Sequence, residues 1–367
     1  MEVLFNDLKK LHQSIPELNE VIQRTVSDFN FIRGKQVTQF EESFKAVLGV
    51  NHCVTTGNGT DALFIALRSL GINPGDEVIT PAFSWISSSE TISLCGAKPV
   101  FADVDSQTYT LDPDRIEEKI TDRTKAIVAV HLYGQAAHLE ILKKICDKHH
   151  LFLIEDCAQG HLTLEYGKYA GTVGEIGAFS FYPTKNLGAY GDAGCIVTNS
   201  DTLAEKARRF ANHGALLKDD HLVEGMNSRM DTLQAAVLLA KLPHLKRWNE
   251  MRNLNAQLYD QLLDGIAEII LPLQRPDASH TFHLYVIRAQ QRDELKRWLA
   301  NYGIQTLVHY PQALPDLPAY HYLGHDKGAF PVAGMLAKEV LSLPVHPLLH
   351  LDAIQYVADR IRGFYKK

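Results

Sequence analysis

The sequence predicts an α/β fold in which a central, mostly parallel sheet is covered by helices and is followed by a smaller C-terminal α+β domain. Three observations carry that expectation. From about residue 50 to 200, short β-rich runs alternate with amphipathic helical runs, the pattern of parallel strands joined by helical crossovers. A chain of 367 residues also exceeds the size at which one core stops growing. Finally, the last third changes rhythm to strand, helix, strand. The expected division places an N-terminal arm and a large domain at 1–245 and the smaller domain at 246–367.

Taken in order, His52 to Thr55 reads as a strand, Thr60 to Leu70 as a helix, Glu77 to Thr80 and Pro99 to Val104 as strands, and Ala126 to His131 as a buried strand. Leu139, Leu142 and Ile145 lie on one face of a helix over 139–149, and LFLIED returns at 151–156 as a strand ending in two acids. GAFSF (177–181) and GCIVTN (194–199) flank a glycine-punctuated loop that holds the only lysine between them. A long polar helix follows within 242–263. FHLYVIRA (282–289) then reads as a strand, RDELKRWLANYG (292–303) as a helix and IQTLVHY (304–310) as a strand.

Composition excludes several classes. With 46% hydrophobic and 22% charged residues the chain is an ordinary globular protein. A net charge of −6 and no Lys/Arg cluster argue against nucleic-acid binding, so an anionic substrate would need a local cationic pocket. Cys53, Cys95, Cys146, Cys157 and Cys195 are scattered without a C-x-x-C pair, which indicates neither a disulfide framework nor a zinc site; no metal is expected. Charges interrupt the N-terminus every few residues and no segment has the length and apolarity of a membrane span. The expectation is a cytoplasmic protein without membrane contact.

The chemistry-bearing residues each have an ordinary reading when taken singly. Asp156, at a strand end, could cap the next turn. Lys185 could be a solvated loop lysine, Gly57-Asn58-Gly59-Thr60-Asp61 a glycine-rich turn with no phosphate, and Trp85 a core indole. Together they suit pyridoxal phosphate. That cofactor needs a carboxylate to keep its pyridine nitrogen protonated, an amine for its Schiff base, a helix N-terminus for its phosphate and a surface for its ring. Apolar and aromatic residues before Lys185, with Gly188, Gly191 and Gly194 after it, let the chain turn closely around a ligand.

Ordered blocks across almost the whole chain resemble the DegT/DnrJ/EryC1/StrS family of sugar aminotransferases. They are FIRGKQVTQFEESFKAVLGV, GNGTDAL, PGDEVITPAFSW, HLYGQ, EDCAQ, SFYPTKNLGAYGDAG, GMNSRMDTLQAA, VHYP and SLPVHP. The resemblance implies the type I, aspartate-aminotransferase-like fold, with Lys185 and Asp156 as the catalytic pair. It further implies that Gln159 lies near the cofactor's phenolic oxygen and Trp85 stacks on its ring. Gly59, Thr60, Asp61 and Ser180 would hold the phosphate, and Asn227 would reach it from the neighbouring subunit of a homodimer with shared active sites. Arg33, Tyr182, His309 and Tyr310 are candidates for sugar or diphosphate contacts, with surface, core or interface roles as the alternative.

The KNLGAYGDAG flank is similar to members that aminate C3 of a nucleotide-linked keto-hexose. The expected reaction moves the amino group of L-glutamate to a nucleotide-linked, dTDP-type 3-keto-6-deoxyhexose, giving a 3-amino-3,6-dideoxy sugar for surface polysaccharide or glycoside synthesis. A UDP-3-keto-hexuronate enzyme, a C4-keto-sugar enzyme and a non-catalytic regulatory relative are the competing expectations. Two departures from the family pattern lie beside cofactor residues. Leu162-Thr163 follows Gly160-His161 where Gly-Ala is usual, and Met226 precedes Asn227 where an aromatic is common.

Overall fold

The computed structural model describes residues 1–366. β1 (His52–Thr56), β2 (Glu77–Pro81), β3 (Lys98–Ala102), β4 (Thr124–Val130) and β5 (Phe152–Asp156) enter the central sheet first. β6 (Leu164–Glu165) and β7 (Lys168–Tyr169) form a small separate ladder, and β8 (Ile176–Ser180) and β9 (Gly194–Thr198) complete the sheet. The spatial order is β1-β9-β8-β5-β4-β2-β3. β3, β2, β4, β5 and β8 are mutually parallel, whereas β9 is antiparallel to both β8 and β1. Every strand except β9 therefore points the same way, and their C-terminal ends share one edge.

The strands sit where the apolar runs placed them because both faces of the sheet are covered, so the runs are continuous rather than alternating. β2 and β9 are buried throughout, and β4 exposes only Lys125. The helix Gly59–Ser69 packs Ala62, Leu63, Ile65, Ala66 and Leu67 inward. The helix Leu139–His149 buries Leu139, Leu142 and Cys146, with Ile145 partly covered beside them. Behind the lysine loop, Phe40, Phe44, Phe179 and Phe181 interlock; the rings of the two helical phenylalanines meet those of β8 and the residue after it edge-on at 5.1–5.4 Å.

In the C-terminal part, β10 (Ile269–Ile270), β11 (Tyr285–Ala289) and β12 (Val340–Leu343) form an antiparallel sheet in that order. The strand expected at 304–310 is not one. Ile304 and Thr306 do alternate with exposed neighbours, but the segment pairs only through single bridges, Ile304 to Val3 and Leu307 to Ser342. The fully buried Val340–Leu343 takes the place beside β11 instead, because a strand with three aliphatic residues covered on both faces holds that position better than a half-exposed one. Among the described residues no helix is long and apolar enough to cross a membrane.

One buried carboxylate fastens the loop that precedes β8. Glu155, in β5, accepts from the amides of Gly171 (2.7 Å), Val173 (2.8 Å) and Gly174 (2.7 Å) and pairs with His131 Nε2 at 3.0 Å. Burial by itself would raise this carboxyl, but His131 and the Gly174 and Gly171 amides outweigh it and hold it below the ordinary range. A group whose pKa is lowered on folding contributes stability above its unfolded value and loses it as the pH falls through the folded one. Glu155→Gln, whose NH2 would face backbone donors, should therefore cost about 3 kcal/mol in urea unfolding at pH 7. That penalty should shrink as the pH drops below about 4.

Candidate active site

The shared strand edge gathers the candidate residues. β1 runs into Gly57 and the helix beginning at Gly59, whose N-cap is Asn58. The Asn58 side chain accepts from the Asp61 amide at 2.8 Å. Asp61 in turn accepts from Ser228 Oγ at 2.6 Å, and that same oxygen accepts from Gly57 N at 2.9 Å. Both the amide and the carboxylate of Asp61 are thus engaged within the chain, and these bonds brace the turn. The Gly59 and Thr60 amides, in the first turn, have no intrahelical acceptor. They lie against Ser180 at the end of β8: a Cβ on Gly59 would stand 2.5 Å from Ser180 Cβ and 3.0 Å from its Oγ. Only glycine permits that approach. Thr60 Oγ1 is 2.8 Å from Ser87 Oγ.

Asp156 ends β5, two strand positions from Ser180 across the β5/β8 pairing, and is 6% exposed. Its carboxylate accepts from Ala158 N at 3.0 Å. Burial raises its pKa, while the Ala158 amide and the charge of Lys185 pull it down. Lys185 is half-buried. Desolvation lowers its amine to about 8, with Asp156 opposing the shift. The loop that carries it is tight: Lys185 N donates to Tyr182 O, Ala189 N to Phe181 O and Phe181 N to Ala193 O, all at 2.8 Å. Gly188 is obligatory here, since a Cβ would meet Pro183 O at 2.3 Å. The buried Lys241 closes the turn by donating to Gly188 O at 2.6 Å, its ammonium lying 4.1 Å from the Tyr190 ring centroid.

Gln159 bridges two segments. Its Oε1 accepts from Tyr133 N at 2.6 Å and its Nε2 donates to Tyr310 OH at 3.1 Å. Trp85 is 58% exposed, with its ring centroid 5.7 Å from that of Tyr310. His309 pairs with Ser342 Oγ at 2.8 Å, and its backbone oxygen accepts from Tyr133 OH. Burial, aided by the Lys185 charge, lowers the His309 imidazole to about 4, so it is neutral at physiological pH. Tyr310 and His309 are thereby brought to the Gln159, Asp156 and Lys185 cluster.

Tyr182 is 51% exposed and joined to the cluster through its amide, which donates to Ser180 Oγ at 3.3 Å. Arg33 is exposed and lines a separate cavity with Glu41, Arg208 and Arg229, to which the lysine loop contributes nothing. Asn227 is exposed and follows Met226 in a segment bridged to Asn212; its neighbour Ser228 is the one that holds Asp61.

The donor set fits pyridoxal phosphate. A buried carboxylate whose only hydrogen-bond donor among the described residues is the Ala158 amide can take a protonated pyridine nitrogen, and the helix start at Gly59 and Thr60, packed directly against Ser180, can offer amides and hydroxyls to phosphate oxygens. Two contributors escaped the sequence reading: Tyr133 and Ser228. Asn58 preceding Asp61 by three residues does carry an N-cap signal, but nothing in the sequence distinguishes Ser228 from its neighbours.

Comparison with known proteins agrees. The model of the DegT/DnrJ/EryC1/StrS aminotransferase family matches residues 13–362. A "pleiotropic regulatory protein" of Geobacillus stearothermophilus is 43% identical, covering 100% of this chain and 99% of its own. The dTDP-3-amino-3,4,6-trideoxy-alpha-D-glucose transaminase of Streptomyces venezuelae is 40% identical over 100% of this chain and 97% of its own. The crystal structure of S. venezuelae DesV superimposes with a TM-score of 0.98 at 40% identity, covering 100% of this chain and 99% of the other.

Because the Asp156 carboxylate raises the Lys185 amine against desolvation, removing its charge has a definite sign. In the cofactor-free protein, the pH dependence of Lys185 modification by an amine-reactive reagent, read by mass spectrometry, should have its midpoint near 8, and Asp156→Asn should move it lower. An upward movement would contradict the proximity of the two groups.

Proposed function

The chain belongs to the DegT/DnrJ/EryC1/StrS aminotransferase family and is a pyridoxal-phosphate-dependent sugar aminotransferase; on that premise we propose that it transfers the amino group of L-glutamate to a nucleotide-linked 3-keto-6-deoxyhexose, with dTDP as the carrier. The observation that carries the residue assignment is a desolvated amine, Lys185, lowered to about 8 beside the buried Asp156. An amine so tuned is neutral in a useful fraction near pH 8, which suits it both as nucleophile and as proton carrier. Bound pyridoxal phosphate supplies an electron sink for the carbon that exchanges its nitrogen.

The remaining work falls to the chain. Lys185 Nζ would hold the cofactor and, as a free amine, would take the proton from the glutamate α-carbon in one half-reaction and deliver a proton to the sugar carbon in the other, so one base would serve both. Asp156 holds positive charge on the pyridine nitrogen. Gln159, fixed by Tyr133 N and Tyr310 OH, offers its amide beside the ring oxygen, and Trp85 covers the ring face. Gly59, Thr60 and Ser180 seat the phosphate, with Asp61 bracing the turn. Asn227 completes that seat across a cytoplasmic homodimer. The exposed pair Phe29 and Phe31, whose ring centroids lie 6.1 Å apart, and the exposed Leu217, Leu222 and Val223 of one loop support a covered subunit surface. Tyr182, His309 and Tyr310 face the sugar. Retention of Lys185 with Asp156 favours turnover over a purely regulatory role.

The C3 assignment follows the KNLGAYGDAG flank and the 3-amino product named for the S. venezuelae relative. Incubating the loaded enzyme with L-glutamate and a panel of dTDP- and UDP-linked 3-keto and 4-keto sugars, with NMR of the products, should show amination at C3 of a dTDP-linked sugar. Exclusive C4 products, or turnover restricted to UDP-hexuronates, would replace the proposed substrate. Lys185→Ala should lose the visible cofactor absorbance and reduce turnover by at least about 100-fold.

A further inference from the structure

Next to the lysine stands a side chain with nothing to do in the chemistry, yet with its hydrogen-bonding capacity engaged by distant segments. Asn186 is 3% exposed. Its Nδ2 donates to Asn249 Oδ1 at 2.8 Å and to the Thr281 carbonyl at 3.1 Å, and its Oδ1 lies 3.2 Å from His283 Nδ1. A backbone carbonyl can only accept, so the amide orientation is determined and Oδ1 must face the histidine. The His283 tautomer follows: Nδ1 carries the proton and donates to Asn186. Burial, reinforced by the charges of Lys185 and Arg252 and by His309 and His161, keeps this imidazole neutral.

The partners are themselves fixed. Asn249, in the helix Leu245–Leu263, uses its own Nδ2 on the His161 carbonyl at 2.9 Å, and Thr281 N donates to Gly134 O at 3.0 Å. Two stretches remote in sequence, 249 and 281–283, therefore meet on the residue bonded to Lys185, and residues 161 and 134 hold those stretches in turn. The lysine's own amide makes a single local bond, to Tyr182 O.

We propose that Asn186 is a positioning residue for the reaction, fastening the backbone that carries Lys185 to the C-terminal half through a buried set of bonds that only a neutral amide in one orientation completes. Without it, Asn249 Oδ1, Thr281 O and His283 Nδ1 lose a partner where water is scarce, and the lysine turn is left to its local bond. The amine then samples wetter positions. Its desolvation weakens and so does its alignment with the carbon it must deprotonate.

This inference rests on Lys185 being the cofactor lysine, and the two fail separately: a Lys185→Ala enzyme with normal turnover removes that premise whatever Asn186 does. With the premise intact, Asn186→Ala should raise the midpoint of Lys185 modification in cofactor-free protein by about half a unit or more. In the loaded enzyme it should lower kcat about tenfold while leaving the KM for glutamate within about threefold. Asn253→Ala, which breaks bonds to Asn249 O and His280 O in the same neighbourhood, should lower only Tm. His283→Asn keeps a donor at the Nδ1 position and should behave as the parent, whereas His283→Phe should shift the midpoint as Asn186→Ala does. Should Asn186→Ala not fold, the His283 pair decides. A parental midpoint and kcat in His283→Phe, or in a folded Asn186→Ala at any Tm, would overturn the proposal.

Discussion

Removing an amine and a carboxylate from water side by side is the constraint on which the rest of the site depends. Each group resents its burial: Asp156 is pushed toward protonation and Lys185 toward the free amine. Their mutual attraction offsets part of the cost without cancelling it, because Asp156 receives only one backbone amide and Lys185 receives no hydrogen-bond acceptor for its ammonium among the described residues. A pair satisfied by protein would be a structural ion pair. A pair left short of partners is poised to accept a cationic ring nitrogen on one side and to act as a base on the other.

The sheet makes that poise possible. Six strands deliver their C-terminal ends to one edge, where the chain leaves regular structure and crevices form. Adjacent β5 and β8 place Asp156 near Ser180, and β1 reaches the same edge only because β9 runs against both of its neighbours. That single reversal brings the Gly59 helix start against Ser180. The buried Glu155, one residue before Asp156, holds the 171–174 segment and so fixes the approach of β8. A carboxylate that is fully satisfied thus neighbours one that is not, and the division of labour lies in their hydrogen bonds rather than their residue types.

How far the sequence discloses this can be judged from particular residues. The strands of the sheet are legible because burial on both faces leaves continuous apolar runs, and the helix 139–149 is legible because one face is apolar at the right spacing. IQTLVHY misleads since its alternation is genuine but belongs to an extended segment with single bridges; VLSL, which forms the strand, is too short to announce itself. Lys185 and Asp156 are legible through the company of ordered motifs. Asp61 is legible from its place in the turn, whereas the bond it accepts from Ser228 depends on the folded approach of the 228 segment. Tyr133 lies within the HLYGQ block, but neither it nor His283 carries a local signature of the nonlocal bonds it makes.

The lysine loop shows why such partners matter. A loop must be open enough to admit a ligand, yet its lysine must return to one place in each half-reaction. Local bonds alone suit the first need and fail the second, for a turn closed by main-chain contacts at 2.8 Å frays as a unit. The chain meets both needs by separating them. Gly188 and the bonds from Lys185 N to Tyr182 O and from Ala189 N to Phe181 O shape the turn, while anchorage comes from outside it: Lys241 on Gly188, Gln234 on Tyr190 N, and Asn186 on the 281–283 segment. These anchors flank Lys185 and leave its side chain free. The side chain of Lys185 is therefore left free while the backbone beneath it is held, as the proposed use of one amine in both half-reactions requires.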